Sequence, residues 1–228
     1  MATARPKAHK GVGMEGFIAA WYARQTAKDL DEFKGVARRI AAHIGSGARV
    51  LEIAPGPGYL AIELVRLTGC RLVGVDISHT FVRIAGENAR KEGLRIDFEQ
   101  GDAADLPFPA EQFDFIVCRA AFKNFSQPVA AMNEMYRVLD PGGRALIVDL
   151  RKDASLEDIN AYIRHADLGW ASSIIYKATF RYLLLPRAYS KQQFADMAAE
   201  SAFAGAHVDA SGIGFEVTLQ KEARGRSG

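Results

Sequence analysis

The sequence predicts an α/β fold in which a mainly parallel sheet carries helices on both faces. Strand-like and helix-like segments alternate along most of the 228-residue chain, a pattern typical of such sheets. Strand-like segments such as 48–54 and 71–77 are continuous apolar runs, which suit strands buried on both faces, whereas 95–100 alternates between apolar and polar residues. The stretch 206–220 holds two alternating runs around a glycine-rich turn, which predicts an antiparallel hairpin at the C-terminal end.

Five strand-like runs precede the hairpin, so the predicted sheet has seven strands. The runs are 48–54, 71–77, 95–100, 113–120 and 144–150. Right-handed crossovers place the C-terminal ends of parallel strands on one rim, where ligands of such sheets bind. The loops that follow the strands should therefore converge.

Capping residues mark the intervening helices. A helical run over 59–67 follows the first strand. Ser78 is a predicted N-cap for the next helix, with Gly93 as its stop. Ser126 is the predicted cap of another helix, which should end near Asp140 because Pro141 disfavours helical geometry in the preceding residue.

Two further helices are predicted from capping boxes. One box pairs Ser155 with Asp158, and the other pairs Ser190 with Gln193. In both, a hydroxyl and a longer polar side chain three residues apart satisfy backbone N–H groups at the start of a helix.

Charge is concentrated at the two ends of the chain. The net charge is +2, yet the first ten residues hold three basic and no acidic residues, and the last eight are also basic. We therefore predict flexible basic tails at 1–13 and 221–228 around a single domain, 14–220. A body without a basic face argues against nucleic-acid binding.

The chain has neither a secretory h-region nor an apolar run of about 18 residues, so we expect a cytoplasmic protein without a membrane span. Cys70 and Cys118 form no metal-ligand pattern, so we predict no metal site and two thiols in a reducing compartment.

The loop after the first strand matches the pattern G-x-G-x-x-A of dinucleotide sites. Pro55 and Pro57 lack the N–H groups that a phosphate cradle needs, and Glu52 adds negative charge beside Gly56 and Gly58. These features favour a ligand with a cationic group, although a tight structural turn would also explain the glycines.

Two acids follow the next strands. Asp76 ends the second strand, where a carboxylate can accept hydrogen bonds from both ribose hydroxyls. Asp102 follows the third strand and could recognise an adenine edge or simply stabilise a turn. The segment 117–125 follows the fourth strand and should border the reacting group.

These motifs together resemble the class I S-adenosylmethionine-dependent methyltransferases, in particular the small-molecule group that includes ubiquinone and menaquinone biosynthesis enzymes. The resemblance extends from Val50 to Leu150, and Ala54 replaces the first loop glycine of the family. The matching segments are 52–58, Asp76, 101–108, 113–114 and 137–143.

The resemblance implies a Rossmann-like fold, the cofactor S-adenosyl-L-methionine and the product S-adenosyl-L-homocysteine. It implies a residue set for each part of the cofactor. Glu52, Ala54, Gly56 and Gly58 would face the methionine portion, Asp76 and Ile77 the ribose, Asp102 and Ala103 the adenine, and Cys118 and Arg119 the sulfonium side.

Methyl transfer from a sulfonium is an in-line displacement that needs alignment more than acid–base chemistry. Many relatives carry a histidine after strand four, but 121–125 has none, which puts histidine-assisted O-methylation in doubt. The candidate bases are Tyr22, His165 and Tyr176.

Two segments are predicted to cover the site. Helices within 14–46 resemble the family's cover, in which Trp21 and Tyr22 either close over the cofactor or belong to the core. The aromatic, basic segment 169–189 is either a substrate lid or a core helix with snorkelling bases. The candidate substrate residues are Lys123, Asn124, Trp170 and Arg181.

The predicted function is thus methyl transfer to a small, apolar or aromatic acceptor. Two alternatives remain open at this level, an NAD(P)-dependent oxidoreductase and a non-catalytic domain that keeps the cofactor site. The sequence leaves the acceptor atom and the oligomeric state open.

Overall fold

The computed structural model describes residues 10, 14–27, 30–165 and 184–224. A seven-stranded sheet with the order β3-β2-β1-β4-β5-β7-β6 forms the centre. The strands are β1 (Arg49–Ile53), β2 (Arg71–Asp76), β3 (Asp97–Gln100), β4 (Phe113–Arg119), β5 (Leu139–Leu150), β6 (His207–Ser211) and β7 (Gly214–Gln220). The first five strands are parallel, whereas β7 is antiparallel to both β5 and β6. The predicted fold class, including the C-terminal hairpin, is confirmed.

Helices cover both faces of the sheet. They are α1 (Gly16–Thr26), α2 (Leu30–Ala41), α3 (Tyr59–Thr68), α4 (His79–Lys91), α5 (Pro128–Val138), α6 (Leu156–His165) and α7 (Lys191–Glu200). The apolar residues of α5 and α7 share one buried cluster with the sheet, and those of α2 and α3 share a second. This arrangement buries the central strands β1 and β4 on both sides, as their continuous apolar runs predict, whereas the edge strands β3 and β6 are largely exposed.

Most predicted caps are present. The Ser78 hydroxyl accepts a hydrogen bond from the N–H of Phe81 over 3.1 Å, and Gly93 has the positive φ of a helix stop. Both capping boxes form, the one at Ser155 through reciprocal bonds with Asp158 and the one at Ser190 with Gln193.

The predicted N-cap of α5 is wrong, whereas the helix ends at Val138, close to the predicted end near Asp140. The N-cap is Gln127, Pro128 occupies the first turn, and the buried Ser126 hydroxyl has no hydrogen-bond partner in the described chain. Proline at the first helical position needs no N–H acceptor, so it sets the start of the helix without a side-chain cap. The helix ends at Val138 because Leu139 already pairs with Phe113 in the sheet.

Within the described residues, none of the helices has the length and apolar character needed to cross a bilayer. The predicted division into tails, cover helices and lid stays a prediction. One residue of the predicted N-terminal tail, Lys10, is described, and it contacts the body of the protein.

Candidate functional site

The glycine loop after β1 has a strained start and an open middle. Ala54 has a φ of 57°, in the left-handed region, and its N–H donates to the carbonyl of Val75 over 2.7 Å. A Cβ built on Gly58 would lie 2.9 Å from Cβ of Ala85, whereas one on Gly56 would meet no atom within 4 Å. Gly58 therefore permits the close packing of α4, and Gly56 borders space that a ligand could fill.

Glu52 is a buried carboxylate with a free oxygen. Its residue surface is only 2% exposed, and Oε2 has no hydrogen-bond partner in the described part of the chain. Burial raises the pKa of Glu52 to about 8, against a smaller lowering by the charge of Arg119. A cation placed at Oε2 would supply the missing partner and favour the ionised form.

Asp76 joins the loops that follow β1 and β2. One carboxylate oxygen accepts the N–H of Gly56 over 3.0 Å, and the other accepts the N–H of Ser78 over 2.9 Å. Burial raises the pKa of this carboxyl group. Because each carboxylate oxygen can accept a second bond, Asp76 could still hold two hydroxyls. Its neighbour Ile77 is exposed on the same rim.

Asp102 stabilises a turn, which is the simpler of its two predicted roles. Its Oδ1 accepts the N–H of Ala104 over 3.0 Å, and Asp102 makes an isolated bridge with Asp105. Ala103 lies between them and packs against the main apolar cluster. Recognition of adenine by Asp102 and Ala103 stays a prediction.

The end of β4 carries a buried thiol and a paired guanidinium. Cys118 is fully buried, which raises its pKa well above the ordinary thiol value. Arg119 donates to the Glu32 carboxylate over 2.5 Å and lies 4.5 Å from the ring centroid of Phe33, so it ties α2 to the rim. Ala120 repeats the geometry of the loop after β1, with a φ of 57°.

The 3₁₀ turn Phe122–Asn124, called here the post-β4 turn, is fixed to β5 by a buried ion pair. Lys123 Nζ lies 2.7 Å from Asp149 Oδ1, and the Lys123 backbone N–H donates to Oδ2 of the same carboxylate over 2.9 Å. The Lys123 ammonium, which was predicted to face substrate, thus pairs with Asp149. A substrate role for Lys123 and Asn124 stays a prediction.

Helix α1 spans the N-terminal ends of α3 and α4. Glu15, just before α1, accepts the N–H of His79 over 2.9 Å, and the Tyr59 hydroxyl donates to the Ala23 carbonyl over 3.0 Å. Trp21 and Tyr22 are 51% and 38% exposed, so the alternative that they are core residues is wrong. Their predicted closure over the cofactor stays a prediction.

Several predicted site residues lie partly or wholly outside the described residues. His165 is the last residue of α6, and its side chain lies outside the described part. Tyr176, Trp170 and Arg181 lie outside the described residues altogether, as does most of the predicted lid.

Two residues at this rim were not among the predicted site residues, although Tyr189 is the last residue of the predicted lid 169–189. Lys10 donates its backbone N–H to the carbonyl of Asn124 over 2.8 Å. Its ammonium bonds the Tyr189 hydroxyl and lies 4.6 Å from the centroid of that ring. Sequence reasoning assigned Lys10 to a tail because the basic N-terminal stretch has no helical or strand-like pattern to place it.

Comparison with known proteins identifies part of the chain as similar to methyltransferases. Residues 50–143 match the family model of a methyltransferase domain. The demethylmenaquinone methyltransferase of Deinococcus radiodurans is 38% identical over 123 residues, which cover 54% of this chain and 50% of that protein. The ubiquinone/menaquinone biosynthesis C-methyltransferase of Pseudomonas putida is 37% identical over 123 residues, 52% and 48% of the two chains. This chain thus spans about half the length of the curated relatives it matches.

A solved structure extends the likeness of fold to nearly the whole chain. It is a putative S-adenosyl-L-methionine-dependent methyltransferase from Methanococcus maripaludis, with a TM-score of 0.72 and 19% identity. The match covers 97% of this chain and all of that one. Together with the family match, it confirms the resemblance to class I methyltransferases that the sequence predicts.

Proposed function

We propose that this chain, which carries a class I methyltransferase domain at residues 50–143, transfers a methyl group from S-adenosyl-L-methionine to an aromatic carbon of a quinol. The names of the matched relatives, one a demethylmenaquinone methyltransferase and one a C-methyltransferase, support this acceptor class. We also propose that the enzyme works in the cytoplasm, where its two unpaired, buried cysteines would stay reduced.

The unpartnered Oε2 of Glu52 is the observation that carries the proposal. An ionised carboxylate without a partner is costly in a buried position, so the site is complete only when a cation is bound. The α-ammonium of the cofactor's methionine portion is such a cation. Asp76 would hold the ribose hydroxyls, and Asp102 with Ala103 would hold the adenine. Once bound, the cofactor supplies an activated methyl group on its sulfonium.

The chain's own residues then orient and desolvate the reactants. Cys118 and Arg119 border the sulfonium side, and their strand is buried between β1 and β5. The ion pair of Lys123 with Asp149 fixes the post-β4 turn, which forms the acceptor side of the rim. Alignment of this kind can supply most of the acceleration when the methyl donor is already activated.

The hydrogen bonds of the glycine loop argue against a dinucleotide. The Gly56 N–H donates to Asp76, and the Gly58 N–H donates to the carbonyl of Pro55 over 3.0 Å. Pro55 and Pro57 have no N–H to donate. A pyrophosphate would therefore meet few free donors and two nearby acids.

Binding and turnover test the proposal separately. Calorimetry should show binding of S-adenosyl-L-homocysteine and none of NADH. Labelled S-adenosyl-L-methionine and a reduced 2-prenyl-1,4-naphthoquinone should then give a product with one added methyl group on the ring. Binding of NADH alone would favour the oxidoreductase alternative, and cofactor binding without methyl transfer to this quinol would refute the proposed acceptor.

A further inference from the structure

Lys10 crosses the acceptor side of the rim, where two distant parts of the chain meet. Its backbone is fixed to Asn124 in the post-β4 turn, and its ammonium reaches Tyr189, 179 residues further along the chain. The two contacts hold both ends of the Lys10 residue in place, which a solvated lysine in a tail would not show.

The Lys10 ammonium has donor hydrogens left for a ligand. Among the residues that the structure describes, no carboxylate forms an ion pair with it. An ammonium has three donor hydrogens, and the Tyr189 hydroxyl uses one of them. Lys10 is exposed, so a ligand could reach the remaining donors.

Tyr189 is held by buried aromatic rings. Its ring centroid lies 6.1 Å from that of Phe122 and 6.5 Å from that of Phe194, and both phenylalanines are fully buried. Its carbonyl accepts the N–H of Lys152 over 2.9 Å, just beyond the end of β5. The hydroxyl therefore has a fixed position beside the post-β4 turn.

We propose that Lys10 and Tyr189 form a binding subsite for the phenolic oxygen of the acceptor. The ammonium and the hydroxyl both donate to that oxygen when it is ionised, and the acceptor's own proton passes to water. A phenolate is more electron-rich at its ring carbons than a phenol, so this subsite would prepare the acceptor for alkylation at carbon. The acceptor class rests on the proposed function, whereas the subsite can be tested without turnover.

The test uses 1-naphthol as the probe, titrated into the full chain saturated with S-adenosyl-L-homocysteine. Ultraviolet absorbance distinguishes naphthol from naphtholate in the ground state, so one titration series over pH gives both the affinity and the ionisation of the bound probe. We expect wild-type protein to bind naphtholate in preference and to ionise the bound probe at a lower pH than in solution. Lys10→Met and Tyr189→Phe should each weaken binding about tenfold or more, on the scale of a charge-assisted hydrogen bond.

Naphthalene, which lacks the oxygen, and Lys91→Met, which removes an exposed lysine at the end of α4, serve as controls. Both variants of the subsite should bind naphthalene as wild type does, and Lys10→Arg should retain most of the affinity for naphtholate. The subsite is refuted if wild type does not bind 1-naphthol, if Lys10→Met leaves its binding unchanged, or if naphthalene binding falls equally. If the subsite variants lose naphtholate binding but the wild type transfers no methyl group to the quinol, the subsite stands and only the proposed function is refuted.

Discussion

The carboxylate of Asp76 accepts a hydrogen bond from the backbone N–H of Gly56 over 3.0 Å. The acid that ends β2 thereby fixes the glycine loop that follows β1. A residue expected only to contact ligand thus also shapes the loop that would surround that ligand.

Replacement of Asp76 should affect both tasks. We expect Asp76→Ala to weaken binding of S-adenosyl-L-homocysteine at least tenfold and to lower the free energy of unfolding by about 1–3 kcal/mol, because the buried N–H of Ser78 and the partly buried N–H of Gly56 lose their acceptor. Calorimetry and urea denaturation measure the two effects. Glu99→Ala, which removes an exposed acid from neighbouring β3, is the matched control and should change neither quantity. Unchanged affinity in Asp76→Ala would rule out its ribose role.

The left-handed conformation of Ala54 should make glycine preferable there. Alanine in this region costs about 1–2 kcal/mol, and glycine adds about 0.5–1 kcal/mol of unfolded-chain entropy. We therefore expect Ala54→Gly to leave the free energy of unfolding unchanged or raise it by up to about 1.5 kcal/mol. Ala131→Gly, in the interior of α5, should lower it by about 1 kcal/mol or more. A clear loss of stability in Ala54→Gly would show that the strain is absent.

Removal of one partner of the buried ion pair between Lys123 and Asp149 should destabilise the protein strongly. We expect Lys123→Met to lower the free energy of unfolding by about 3–5 kcal/mol, because the Asp149 carboxylate stays buried without its partner. The double variant Lys123→Met/Asp149→Leu should recover much of that loss, since neither charge remains. Urea denaturation of the two variants and wild type gives the comparison, and an equal loss in both would argue against a charge effect.

The raised pKa of Glu52 predicts a pH-dependent stability of the ligand-free protein. The folded-state pKa of about 8 lies above the ordinary value of 4.5. The stability associated with neutral Glu52 is therefore fully present below pH 4.5 and is lost as pH rises through 8. We expect Glu52→Gln to be more stable than wild type at pH 8.5, with a difference that shrinks towards pH 5. Thermal denaturation at several pH values checks this, and parallel curves for the two proteins would contradict it.

The seven strands and the rim could be anticipated from local signals. Continuous apolar runs identified the strands, and the acid or glycine after each run identified the loops that converge. The wrong cap of α5 shows where local signals compete, because Ser126 and Pro128 both mark a helix start and proline decides the position. The left-handed backbone conformation of Ala54 and Ala120 could not be predicted, because alanine, unlike glycine, does not indicate a positive φ.

Long-range partners could not be predicted. Arg119 pairs with Glu32 across 87 positions, and Lys10 meets Tyr189 across 179. No periodic pattern in the sequence links residues this far apart, so only the folded structure shows that these side chains meet. The partner of Lys123 was missed for the same reason, because Asp149 reads in sequence as part of an apolar strand.

Proton release on cofactor binding shows whether buried Glu52 receives the ammonium of the cofactor. Calorimetric titration of S-adenosyl-L-homocysteine at pH 7, in buffers of different ionisation enthalpy, counts the protons released. We predict that wild type releases a substantial fraction of one proton, because Glu52 is largely neutral before binding and ionised after it. Glu52→Gln should bind at least tenfold more weakly, without this release. Equal affinity of the two proteins, or binding by wild type without proton release, would contradict the account.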